Sequence, residues 1–331
     1  MAATKNILIT GAAGFIGQLV AKELLSDPKY RVTLTDIIEP VVPDDALYPE
    51  NATVIKADLL NSVSTLVHRS LDAVYIFHGI MSSGSEENFD LGLTVNVDAT
   101  RALLDVIRHT VPGIRVVYAS SLAVYGLPTP DVVDENVVPT PQSSYGFEKL
   151  ICEQLVNDYT RKAFIDGFAL RFPTICVRAG KPTAAASSFV SGMIREPLNG
   201  IECIIPVQDR SFVSWICSPK ILTANLLYAL VMPADALPSH IRVVNLPGIG
   251  VSIQAAMDAL KAVAGAEVLK FIKDEDNSAV RKIVYSWPQK FDNARAYKMG
   301  FIPDQPFEDT VRDYQQLLAK SNTNGVRGYT A

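Results

Sequence analysis

The sequence predicts an α/β fold in which a doubly wound parallel sheet is followed by a smaller C-terminal substrate lobe. Three observations predict it. Short β-branched runs alternate with segments of helical spacing over the first 120 residues; a glycine-rich turn joins the first such run to the first helix; and after about residue 172 the alternation loosens into stretches containing Pro, Gly and Ser. With 331 residues, the chain is long enough for one large α/β domain carrying a second lobe.

In chain order, the expected strands are Asn6 to Thr10, Arg31 to Asp36, Thr53 to Lys56, Ala73 to His78 and Arg115 to Ser120. Helices are expected near Phe15 to Ser26 and Glu87 to His109. Right-handed crossovers between parallel strands place helices on both faces, so this order describes a Rossmann-type sheet. Helical spacing resumes at Pro219 to Leu230, Ser252 to Ala264 and Asp309 to Lys320. The expected division is 1–172 for the Rossmann domain and 173–331 mainly for the lobe, with some segments returning to the first domain. The chain has no internal repeat and no low-complexity segment.

Composition excludes several classes of function. A net charge of −5, from 30 basic and 35 acidic side chains spread along the chain, offers no basic stripe for a phosphate backbone, so no nucleic-acid partner is expected. Cys152, Cys176, Cys203 and Cys217 form no CxxC pair, and the first twenty residues lack the pattern of a signal peptide; a reducing cytoplasm is the default expectation. Apolar stretches such as Ile221 to Met232 fall short of the ~20 residues a bilayer needs, so no membrane span is expected. His68, His78, His109 and His240 have no neighbours at metal-ligand spacing, and no metal is expected.

The first motif with chemistry is Gly11-Ala12-Ala13-Gly14-Phe15-Ile16-Gly17, between the first strand and the first helix. Gly11 permits the tight turn, Gly14 lets the backbone approach a pyrophosphate, and Gly17 allows close packing of helix on strand. The helix start presents free N–H groups and the positive end of its dipole to the anion. Asp36 ends the second strand, 19 residues beyond Gly17, where its carboxylate suits an adenosine ribose diol and repels a 2′-phosphate. Neither Ile37 nor Ile38 supplies a compensating cation, so NAD is the expected cofactor. Asp58-Leu59, after the third strand, is placed to flank the adenine, although an Asp there also serves as an ordinary turn residue.

Tyr145 and Lys149 stand four apart on one face of a helix, and Ser120-Ser121 end a strand at the carboxyl edge of the sheet, where α/β folds bind ligands. A free Tyr, with a pKa of about 10, is a poor base near neutrality unless nearby positive charge stabilises its phenolate. Lys149 is expected to supply that charge and to hold a ribose, Tyr145 to move the hydroxyl proton, and the serine to hold the reacting oxygen. Met81, Ser82 and Ser83 follow the fourth strand at the same edge and are expected beside substrate, and Trp215 is considered as a closing residue from the lobe.

GAAGFIG, Asp36, the Asn96-Val97 pair, SSLAVYG from Ser120 to Gly126, and YGFEK together resemble the extended short-chain dehydrogenases/reductases over nearly the whole chain. The resemblance implies that Ser121 rather than Ser120 is catalytic, beside Tyr145 and Lys149, and that Asn96 and Pro173 contact the cofactor. With the loop residues Gly11, Gly14, Phe15, Ile16 and Gly17, and with Asp36, Ile37, Asp58 and Leu59, these complete the expected NAD contacts. It also implies a homodimer formed by two long helices, near Glu87 to His109 and Tyr145 to Ala163. Within the family, TPQSSYG, LRFPTICVR, GKPTAAASSF, IREPLNG and SWPQKFDNARAYKMGF resemble the D-erythronate dehydrogenase group of sugar-acid oxidoreductases.

Departures from other subfamilies narrow the reaction. Dehydratases carry an Asp-Glu pair after the catalytic hydroxyl, where this chain has Leu122 and Ala123; nucleotide-sugar epimerases carry Arg-Tyr-Phe-Asn, where it has Arg171-Phe172-Pro173-Thr174. Thr174, Arg178, Lys181, Ser187 and Ser188 suit a small polyhydroxy carboxylate, with a cation for the carboxylate and hydroxyls for the diol. The leading expectation is an NAD-dependent dehydrogenase of a small hydroxy acid. An epimerase that returns the hydride and a non-catalytic NAD-binding regulator are the alternatives.

Overall fold

The structure, a computed structural model, describes residues 4–182 and 185–323. Its elements run β1 (Lys5–Thr10), α1 (Phe15–Leu24), β2 (Tyr30–Asp36), β3 (Ala52–Lys56), α2 (Leu59–Leu66), β4 (Ala73–Ile76), α3 (Ser82–Glu87), α4 (Phe89–Gly92), α5 (Ala99–Thr110), β5 (Arg115–Ser121), α6 (Ser144–Arg161) and β6 (Asp166–Phe172). There follow β7 (Thr174–Ile175), α7 (Ser188–Leu198), β8 (Cys203–Ile205), β9 (Val213–Cys217), α8 (Pro219–Val231), β10 (Val243–Asn245) and β11 (Ile249–Ser252). The chain continues through α9 (Ile253–Ala264), β12 (Ile272–Asp274), α10 (Ser278–Tyr285), α11 (Ala294–Met299) and α12 (Phe307–Thr323).

Seven parallel strands form the central sheet in the order β10-β6-β5-β4-β1-β2-β3. The strand order reverses beside β1, which pairs with both β2 and β4, and this switch point opens a crevice at the carboxyl ends of the strands. Alternation along β1 separates two cores. Ile7 and Ile9 pack with Val20, Leu24, Leu222 and Leu226 on the α1/α8 side, and Leu8 packs with Leu103, Leu104 and Ile107 on the α2/α5 side. Each such buried side chain contributes about 1.5–3 kcal/mol. A third core, around Phe189, Ile194, Ile205, Leu260 and Val311, holds α7, α9 and α12 beside two small sheets, β11-β9-β7 and β12-β8. From the later half of the chain, β10 joins the large sheet beside β6.

Two features of the sheet domain differ from expectation. Strands β6 and β10 had no counterpart among the expected strands; β10 spans three residues, and the β6 run Asp166–Phe172 contains Gly167 and Arg171, which weaken the alternation. The single helix expected from Glu87 to His109 is divided into α3, α4, a π-helical turn over Leu93–Asp98, and α5. Asn88 restarts the helix by accepting the Leu91 N–H at 3.0 Å, and Asn96, inside the wide turn, spends its side chain on the loop after β4. Among the described residues no helix is long and apolar enough to cross a membrane.

Candidate active site

The turn after β1 is built by backbone geometry. Gly11 has φ +69°, and a Cβ there would overlap the backbone of His78, so only glycine closes the turn without strain. A Cβ on Gly17 would meet the Gly11 carbonyl, which keeps α1 tight against the turn. No side chain caps the start of α1 and no acid stands in its first turn, so its N–H groups are left for an anion. Asp36 is fixed at the end of β2, its Oδ2 accepting the Ala13 N–H at 3.1 Å and its Oδ1 the Ile37 N–H at 2.7 Å. Asp58 caps α2 through the Leu60 N–H at 3.0 Å.

From this turn a cavity of about 600 Å³ runs along the crevice to the ends of β4, β5 and β6. Gly11, Gly14, Phe15, Ile16, Gly17, Asp36, Ile37, Asp58 and Leu59 line one end; Ser121, Tyr145, Lys149, Pro173, Thr174, Arg178 and Ser187 line the other, with Met81 and Ser82. The length of the crevice, the uncapped helix start and the carboxylate fit a dinucleotide. Asn96 does not reach the wall: its Oδ1 accepts the Ile80 N–H at 2.8 Å and its Nδ2 donates to the Ile80 carbonyl at 3.1 Å, so it holds the lining loop from behind.

Strand alternation separates the two serines. Ser120 donates to Glu153 Oε1 at 2.5 Å, joining a buried network in which Arg171 binds both Glu153 oxygens at 2.8 and 2.7 Å and donates to Tyr125. Ser121 bonds to Tyr145 and accepts the Ala123 N–H at 3.1 Å. Lys149, 3 % exposed, donates to the Ala119 carbonyl at 2.9 Å, and its Nζ lies 5.6 Å from the centre of the Tyr145 ring.

Burial pushes the Tyr145 phenol up to about 12, while the Ser121 hydrogen bond and the Arg178 charge act in the opposite direction. Arg178 acts on the phenol from the lobe, and the Lys149 ammonium stands beside the ring. Burial draws Lys149 down to about 8. His78, held between Thr10 Oγ1 at 2.8 Å and Thr100 Oγ1 at 3.2 Å, is pushed down to about 3 by burial and by Lys149, which leaves it neutral.

Four expected substrate contacts are not brought to the wall. Lys181 is exposed; Ser188 opens α7 beyond Ser187; Ser83 stands about 100° around α3 from Ser82; and Trp215 packs on Phe291 with ring centres 5.5 Å apart. Trp287 lines the cavity instead, from the turn after α10. Its only sequence signal was an aromatic inside the SWPQKF stretch. Residues 183–184 of GKPTAAASSF lie outside the described residues. Among the described residues, no group of three or more His, Cys, Asp or Glu is placed to hold a metal ion.

A dinucleotide crevice that ends on a Ser, a Tyr and a Lys one helical turn apart defines the class: an NAD-dependent oxidoreductase of the extended short-chain type. The chain belongs to the NAD dependent epimerase/dehydratase family, whose model matches residues 7–226. It is 37% identical to D-erythronate dehydrogenase of Haemophilus influenzae, over 93% of this chain and 98% of that one. It is 40% identical to D-erythronate dehydrogenase of Cupriavidus necator, over 94% and 98%. A solved nucleoside-diphosphate-sugar epimerase from Agrobacterium tumefaciens superposes with a TM-score of 0.87 at 33% identity, over 98% of this chain and 96% of that one. The cofactor is NAD.

Asp36 carries an expected result. NAD should bind at least about tenfold more tightly than NADP, because a 2′-phosphate would meet the carboxylate with no compensating cation. Fluorescence titration with the two cofactors checks this, and equal affinities would count against it.

Proposed function

We propose that this protein is a dehydrogenase of a small polyhydroxy acid of the D-erythronate type, with Ser121, Tyr145 and Lys149 as its catalytic residues. Arg178 carries the reading. This residue lines the cavity, its buried Nη2 has no hydrogen-bond partner among the described residues, and its charge acts on Tyr145. A carboxylate satisfies such a cation by paired, charge-assisted bonds. Thr174 and Ser187 line the same end of the cavity and offer hydroxyls to a diol. The full-length likeness to two D-erythronate dehydrogenases supports the same substrate class.

Bound NAD supplies the two-electron acceptor. Tyr145 takes the hydroxyl proton at its phenolic oxygen during oxidation and returns it during reduction; Ser121 holds the oxygen as it becomes a carbonyl; Lys149 holds the ribose and its charge favours the phenolate. In this reading the division near residue 172 separates a cofactor half from a mainly substrate-binding half. We further propose a cytoplasmic homodimer paired through α4 and α6, where exposed Phe89, Phe147 and Ile151 support an apolar contact; light scattering at micromolar concentration reads its mass.

The test is an absorbance assay for NADH against sugar acids, simple hydroxy acids and nucleotide sugars. D-Erythronate or a close sugar acid is expected to give accumulating NADH. An epimerase would convert a nucleotide sugar without net NADH, and a non-catalytic regulator would bind NAD and turn over nothing; either result would overturn the proposal.

A further inference from the structure

A buried acid stands beside the proposed catalytic lysine. Glu148 directly precedes Lys149 on α6 and is 1 % exposed. Its Oε2 accepts from Ser85 Oγ at 2.9 Å and from Asn96 Nδ2 at 2.5 Å, while its Oε1 is buried without a hydrogen-bond partner among the described residues. A Cβ on Gly92 would overlap Oε1, so the α4 backbone is shaped around this carboxyl. Asn96 passes the constraint onward by gripping both the N–H and the carbonyl of Ile80. Gly79 is packed between the two sides: a Cβ there would stand 2.7 Å from Asn96 Oδ1 and 3.6 Å from Lys149 Nζ. Gly79 and Ile80 both line the cavity.

We propose that Glu148 is a positioning residue for the reaction, fixing the Gly79-Ile80 wall through Asn96 and presenting negative charge to the Lys149 ammonium. The titratable and charged groups around Lys149 and Tyr145 are Cys152 and Glu153 on α6, Tyr118 on β5 with its ring 4.9 Å from Nζ, His78 after β4, and Arg178 in the lobe. Glu153 is matched by the two-point contact with Arg171, whereas among the described residues Glu148 bonds to the neutral Ser85 and Asn96 groups. Burial lowers the Lys149 pKa, and Glu148 is among the groups that oppose it; Glu148 also raises that of Tyr145. Two roles thus meet in one side chain: reach and charge.

The inference rests on the dehydrogenase reading, and the two fail differently: no turnover by any protein on the substrate panel defeats the reading, while wild-type turnover lets the variants judge Glu148. Glu148→Gln keeps the reach and removes the charge. It is expected to hold the NAD KM within about twofold and to move both limbs of the pH profile of kcat/KM to lower pH by about half a unit or more. Glu148→Asp keeps the charge and withdraws the oxygen from Asn96 and Ser85. It is expected to leave the limbs in place and raise the NAD KM about fivefold or more. If Glu148→Gln does not fold, Glu148→Asp alone decides, an unchanged KM overturning the proposal. Identical behaviour of the two variants also overturns it, whether both match wild type or both lose activity uniformly with a lowered Tm and unmoved limbs.

Discussion

Tyr145→Phe is expected to lower turnover by about 10²-fold or more while leaving NAD affinity within about threefold. The reason is the separation of the two ends of the cavity. The Gly11 turn and Asp36, the proposed seats of the pyrophosphate and the adenosine ribose, lie at one end, and the Tyr145 phenol faces Ser121 at the other. Removing that oxygen takes away the proton acceptor and leaves the ring, so the packing around α6 is preserved. Ser121 cannot replace it, because an aliphatic hydroxyl gives up its proton far less readily than a phenol and so supplies no base near neutrality. Single-turnover kinetics and NAD titration on the same preparation provide the check. Turnover near the wild-type level would remove Tyr145 from the chemistry and return attention to the regulator reading.

Lys149→Met is expected to have a wider effect, with kcat/KM reduced about 10²–10³-fold and NAD affinity weakened about tenfold. Its ammonium stands 2.9 Å from the Ala119 carbonyl and 5.6 Å from the centre of the Tyr145 ring, so in the proposed roles its loss removes both a ribose donor and a charge favouring the phenolate. The sign of the pH dependence follows from its burial. Lys149 is drawn down from 10.5 to about 8, so the ammonium is present below that pH and lost as pH rises through it. NAD affinity of the wild type should therefore decline above about pH 8, and that decline should be absent in Lys149→Met. A wild-type affinity that stayed flat from pH 6 to 10, on the order of the range in which a lysine so placed titrates, would contradict the role given to this residue.

Much of this was legible in contiguous residues. The βα alternation, the Gly11 turn, Asp36 and the Tyr145–Lys149 spacing are each written within one element or across one turn. There, periodicity, φ requirements and helix geometry act locally. Asn96 was legible as a residue of interest but not in its role, since its partners Ile80 and Glu148 are 16 and 52 residues away.

By itself, then, the sequence determined strands β1 to β5 of the parallel sheet, the dinucleotide turn and the Tyr–Lys face, because local backbone and side-chain periodicity specify them before any packing occurs. Tertiary structure alone decided which groups meet at the far end of the cavity. Trp287 rather than Trp215 reached the wall, Arg178 came within range of Tyr145, Ser120 was drawn to Glu153 while Ser121 stayed with the phenol, and the helix after residue 87 was broken around a buried carboxyl. The physical reason is that these contacts join segments from different layers, and their geometry is fixed by packing and by the need to satisfy buried polar groups, neither of which is written in the spacing of any one segment.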